Sequence, residues 1–142
     1  MPVSFRVHPR HSLVYVRYSG TPGVEETLRA MQSCLSHPDF RLTFRHLVDF
    51  SAVTDFRRDH AELMRLAARM PDLLDDPQHG VLLVYYAPTP EAQALAQAVM
   101  KSYQGVSHSV LVVVDEPQKA LDCLGLDGVD FAALAPVSHR AL

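Results

Sequence analysis

The chain has 142 residues, 48% of them apolar and 20% charged, with 13 basic against 16 acidic side chains and a formal charge of −3. That length suits one domain with a buried core, and the apolar share excludes an intrinsically disordered chain. The slight acidity argues against broad binding to nucleic acid, which needs a concentrated positive surface.

Val3, Phe5 and Val7 alternate with Ser4 and Arg6, and residues 12–18 alternate again. The two runs read as a hairpin joined through His8-Pro9-Arg10-His11. Gly20-Thr21-Pro22-Gly23 breaks the second strand, and Thr21 is expected to cap a helix with Pro22 in its first position. Val24, Leu28, Met31 and Leu35 follow at helical spacing, and Pro38 sets the end near Ser36. Residues 42–50 read as a strand that becomes more buried toward Leu47-Val48, with Asp49 at its carboxyl end. A second helix is expected from 55 or 56 to 70, with Leu63, Leu66, Ala67 and Met70 inward and Pro71 closing it. The acidic stretch 72–77 is a solvated loop.

Gly80 opens VLLVYYA, the continuous apolar run of a central parallel strand covered on both faces. Thr89-Pro90-Glu91 starts a third helix through Ala92, Leu95, Ala96, Val99, Met100 and Tyr103, with Gly105 as its stop. Residues 106–114 form the next strand. Asp115 is expected to cap a short helix over 116–124, ended by Gly125. Residues 127–142 carry no strong period and fit a strand, a loop or a docked tail.

The order β-β-α-β-α-β-α-β-α implies a mixed, mostly parallel five-stranded sheet with an antiparallel N-terminal edge hairpin and four helices. It forms one domain over 1–142, with 127–142 as a C-terminal tail. The first residues, MPVSFRVHPR, hold no apolar run of signal-peptide type, and no apolar stretch is long enough to span a bilayer. Cys34 and Cys123 both sit in helix-like segments, where packing is the expected role. A reduced, cytoplasmic setting follows. The absence of Asn, Ile and Trp, with Arg far above Lys, reads as codon usage in a GC-rich, bacterial genome.

Three stretches carry a family resemblance. Tyr18-Ser19-Gly20 precedes the first helix, and Leu47-Val48-Asp49-Phe50-Ser51-Ala52-Val53 precedes the second. Asp115-Glu116-Pro117-Gln118-Lys119-Ala120-Leu121-Asp122-Cys123-Leu124-Gly125 is the third, with Cys123 where an aromatic is usual. Over roughly the first 126 residues the chain resembles the small bacterial SpoIIAA-like proteins, relatives of the STAS domains of anti-sigma-factor antagonists and anion transporters. The resemblance implies a non-catalytic regulatory or partner-binding module. One part of that pattern is replaced: an Asp-Ser-Ser-Gly-like turn with a phosphorylated Ser opens the second helix in true antagonists. Here Thr54-Asp55-Phe56-Arg57-Arg58-Asp59 puts two arginines there and no hydroxyl at the acceptor position. The phosphorylation switch is therefore not expected.

In open parallel sheets, ligands bind outside the carboxyl ends of the strands. That rim should hold Asp49 with Ser51, Tyr86 with Ala87, and Val114 with Asp115, and the second helix should bring Arg57 and Arg58 to it. Asp49, Ser51, Arg57, Arg58 and Tyr86 are accordingly the candidate ligand- or partner-binding residues. Guanidinium groups at a helix start favour an anionic ligand or an acidic partner surface. The plainer reading makes Asp49 and Asp115 caps, and pairs the two arginines with Asp55 and Asp59.

The eight histidines show no ligand spacing of HExxH or Cys/His type, so no metal and no cofactor is expected, although His46 and His60 are free to approach Asp49 in space. No GxSxG, GxxxxGK[ST] or GxGxxG motif occurs, so no enzymatic activity is expected. The alternative is a carrier of a small lipid-like or anionic ligand in a CRAL-TRIO-like pocket, lined by Tyr85-Tyr86 and the methionines Met31, Met64, Met70 and Met100. Met100 and Tyr103 offer a patch on which a homodimer could form instead.

Overall fold

A computed structural model of the chain describes residues 3–55, 61, 65, 80–103 and 109–136. β1 (Val3–His8) pairs antiparallel with β2 (Leu13–Gly20), in a register running from Val3↔Tyr18 to His8↔Leu13. The link is one 3-10 turn, Pro9–His11. Ser12 closes it in the left-handed region at φ 50°, its N–H donating to the Pro9 carbonyl at 3.2 Å.

α1 (Val24–Leu35) follows. Its cap is Gly23, not Thr21. The Gly23 carbonyl accepts both the Thr27 N–H at 3.2 Å and the Thr27 hydroxyl at 2.9 Å, so the helix begins after Pro22 rather than on it. At the far end, the Ser36 N–H and hydroxyl both donate to the Gln32 carbonyl, at 3.1 Å each.

β3 (Arg45–Val53) lies later than the expected 42–50. A turn closed by the Phe44 N–H on the Arg41 carbonyl, 3.0 Å, takes up the preceding residues. β4 (Leu82–Tyr86), α2 (Pro90–Tyr103), β5 (Val110–Val114), α3 (Pro117–Leu124) and α4 (Phe131–Leu134) complete the described elements. Thr89 caps α2 as expected, its hydroxyl accepting the Ala92 N–H at 3.1 Å. Asp115 does not cap α3. Glu116 holds the N-cap position, and Asp115 pairs with Lys119 at 2.9 Å. The expected second helix lies almost wholly outside the described residues, as do Gly105 and the first residues of the strand expected from 106.

The five strands lie in the order β1-β2-β3-β4-β5, with β1 antiparallel and every later pair parallel. Alternation divides the side chains between two layers. Val14, Val16, Val48 and Leu83 pack toward α1 and α2 with Met31, Cys34 and Leu95. Leu13, Tyr15, Leu47, Val84 and Val114 pack toward α3 and α4 with Leu121, Leu124 and Leu134. Val129, Phe131, Leu134 and Ala135, from the described part of the C-terminal tail, pack on this second layer. The two cysteines differ: Cys34 is buried, its thiol pushed up to about 12 by burial, whereas Cys123 is exposed. Ala120, Leu121 and Leu124 hold the inward positions of α3 and leave Cys123 on its outer side. Among the described residues no helix is long and apolar enough to cross a membrane.

Candidate functional site

Parallel register places Arg17 beside Asp49 and Asp49 beside Tyr86, so one row crosses β2, β3 and β4 near their carboxyl ends. Tyr15 precedes Arg17 by two residues and therefore points to the same face. A register shift follows at once: Arg17 pairs with Asp49, but Ser19 pairs with Ala52, so β3 carries one extra residue. Ser51 falls inside this bulge, and its N–H donates to Asp49 Oδ1 at 2.8 Å.

The other carboxylate oxygen, Oδ2, accepts the Tyr15 hydroxyl at 2.5 Å and Arg17 Nε and Nη2 at 3.3 Å each. Asp49 is 1% exposed and the Arg17 side chain 39%, so the anion is buried while the guanidinium reaches the surface. The guanidinium also lies 6.0 Å from the centre of the Tyr15 ring. Burial, followed by the hydrogen bond and negative charge of Asp49, holds the Tyr15 phenol far above its ordinary titration range. Tyr86 is shifted upward by burial and then by the same carboxylate. Both phenols are thus neutral donors at any physiological pH. Losing Arg17 would leave the buried Asp49 carboxylate without its cation, whereas losing Asp49 would leave the half-exposed guanidinium to water.

α4 lies over this row. The Phe131 ring meets Tyr86 at 5.1 Å and Tyr15 at 5.7 Å, both edge to face. Leu134 is buried beside Leu13, and the main chain beyond it is held from β1. Arg6 Nη1 donates to the Ala133 carbonyl at 3.0 Å and the Ala135 carbonyl at 3.4 Å, and His8 Nε2 bonds the Leu134 carbonyl at 2.8 Å. Arg45 similarly ties the end of α3 to the hairpin, bonding the Leu124 carbonyl and, at 2.6 Å, the His11 carbonyl.

Of the residues proposed from the sequence, Asp49, Ser51 and Tyr86 come together. Arg57 and Arg58 lie outside the described residues, as do Asp59, His60, Met64 and Met70. Asp115, expected on the same rim, is exposed and joined to Lys119. His46 does not join Asp49: it lies on the α1 side, with its ring 6.4 Å from Phe40. Met31 is core, packed on β2. Among the described residues no group of three or more His, Cys, Asp or Glu side chains could hold a metal ion.

Tyr15, Arg17 and Phe131 were not anticipated. The period of β2 does place Tyr15 and Arg17 on one face. Their meeting with Asp49, however, depends on the parallel register, which alternation does not specify. No family model matches the chain, and no curated protein matches it.

Proposed function

We propose that this chain is a non-catalytic regulatory or partner-binding module of SpoIIAA/STAS-like type, docking its partner on the carboxyl rim of β2, β3 and β4. The supporting observation is the engagement of Asp49. Its two oxygens take the Tyr15 hydroxyl, the Arg17 guanidinium and the Ser51 N–H. A carboxylate so occupied is poorly placed to move a proton, and it serves instead as a brace that fixes Arg17 at the rim. A guanidinium held this way is preorganised toward a carboxylate or phosphate on a partner. Arg57 and Arg58 follow β3 in sequence, lie outside the described residues, and are tested beside Arg17 as anion-binding groups.

The test is quantitative affinity purification with the full chain as bait, beside Arg17→Ala, the double variant Arg57→Ala plus Arg58→Ala, and Arg10→Ala in the turn between β1 and β2. A specific protein captured by the wild type and Arg10→Ala, and at least tenfold depleted by the rim variants, is the expected result. Capture indifferent to the rim arginines overturns the location. A stoichiometric lipid-like molecule in native mass spectrometry, with no protein partner, favours the carrier alternative.

A further inference from the structure

We propose that residues 127–136 are an intramolecular stand-in for a partner segment: the slot they fill binds a short helical peptide with an aromatic residue followed three positions later by leucine. This deepens the partner-binding reading and rests on it.

The case begins with how the segment is held. Phe131 and Leu134 are three residues apart and so share one face of a helical turn. Phe131 enters between the rings of Tyr15 and Tyr86, and Leu134 is buried beside Leu13. Arg6 and His8 then take the carbonyls of Ala133, Leu134 and Ala135. Two anchoring side chains plus main-chain acceptors are contacts that a separate chain could supply equally well, as short helices do in grooves. Among the described residues, the segment forms no strand pairing with the sheet.

The segment is also joined in a way that lets it leave. Gly125 and Gly128 both stand in the left-handed region, at φ 66° and 75°, between the end of α3 and the start of α4. Gly125 is fixed as the cap of α3, its N–H on the Asp122 carbonyl at 3.2 Å and the N–H of the buried Leu126 on the Leu121 carbonyl at 3.0 Å, so Gly128 is the pivot on the near side of Phe131. α4 itself is one turn, started by the Asp130 carboxylate on the Ala132 N–H at 3.1 Å. A single turn has no helical stability of its own and persists only through its contacts. Beneath it lies the hydrogen-bonded row of Tyr15, Asp49 and Arg17, which remains internally satisfied when the cover lifts. Opening therefore leaves a formed slot with tyrosine walls and carbonyl-binding groups at one end. A partner must compete with the tethered segment, so its apparent affinity is lowered by the fraction of molecules that are closed.

The test uses a fluorescent peptide with the sequence of 127–136, DGVDFAALAP, titrated in anisotropy against the full-length wild type and against full-length Phe131→Ala. The variant keeps the slot and weakens its occupant. It is expected to bind the peptide at least tenfold more tightly than the wild type, and a peptide with alanine for the phenylalanine is expected to bind neither. Asp130→Ala, which removes only the cap, is the second variant and should show a smaller gain in the same direction, so the test stands if Phe131→Ala fails to fold. Equal binding to wild type and a folded variant, or no binding to either, overturns the proposal. Because no cellular partner is needed, that failure removes the stand-in and leaves the rim reading intact. Peptide exchange with partner capture indifferent to the rim arginines would do the reverse.

Discussion

The same stretch of β2, β3 and β4 shows two different rows on its two faces. Toward α1 and α2 stand Tyr18, Phe50 and Tyr85, with neighbouring ring centres 5.2 and 5.4 Å apart. Toward α4, one residue away along each strand, stand Arg17, Asp49 and Tyr86. The aromatic row is covered by a long helix that contributes Ala92, Leu95 and Ala96 to a dry core. The charged row is covered by one turn of helix and two side chains. Edge-to-face and tilted aromatic pairs such as these add about 0.5–1.5 kcal/mol each to their burial and need no partner from outside. A buried ion pair adds little net stability over a well-packed apolar core, so its presence is better explained by what it positions. Both faces carry core, but the aromatic row only packs, whereas the charged row holds a guanidinium and two phenols in place under a removable cover.

The sharpest way to break this comparison is to remove its central acid. Asp49→Ala strands the Tyr15 hydroxyl and the Ser51 N–H, and should destabilise the chain by about 2–5 kcal/mol in chemical denaturation, roughly 1–3 for each stranded donor. A loss below about 1 kcal/mol would mean that the row is solvated rather than buried. On the opposite face, Met31 is 2% exposed among Val14, Val16 and Phe44. Met31→Ala should cost about 2–5 kcal/mol through the cavity it leaves. Peptide exchange at the α4 slot should be unaffected by it, since the sheet stands between. Tyr15→Phe removes one donor from Asp49 and keeps the ring that meets Phe131. It should cost about 1–3 kcal/mol and leave the cover seated, as read from near-ultraviolet circular dichroism.

The smallest effect is a pH dependence confined to the cover. His8 titrates below its ordinary 6.5, chiefly because of burial and opposed by its bond to the Leu134 carbonyl, with the charges of Arg6 and His11 adding to the depression. A lowered folded-state value means that the unfolded chain binds the proton first. The contribution of His8 is therefore complete above about pH 6.5 and fades as the pH falls through its folded value. Docking of α4 should loosen over that window, and His8→Ala should flatten the dependence in hydrogen exchange.

How much of this was legible in the sequence follows from range of interaction. The hairpin, the VLLVYYA strand and the Thr89 cap are local patterns, and each was read correctly from a few neighbouring residues. Thr21 looked like a cap by residue type, but the Thr27 hydroxyl bonding to Gly23 moved the helix start two residues on. Asp49, Ser51 and Tyr86 lie near strand ends, and strand ends are legible in the sequence. Arg17 was missed because a charged residue near the end of an alternating strand reads as solvent-facing. Phe131 was missed because α4 is a single turn in a stretch without period, fixed by Arg6 and His8 more than a hundred residues away in sequence. Nonlocal pairing of that kind leaves no mark in a periodicity.

The most direct measurement is native-state hydrogen exchange, resolved at the Ala133 N–H, which is bonded to the Asp130 carbonyl at 3.0 Å, and at amides of the β3–β4 ladder such as Val84. Ala133 is expected to exchange through a small, denaturant-insensitive opening well before Val84, and faster still in Phe131→Ala. Exchange of both amides only through global unfolding, at one common free energy, would make α4 a fixed part of the core and contradict the removable cover.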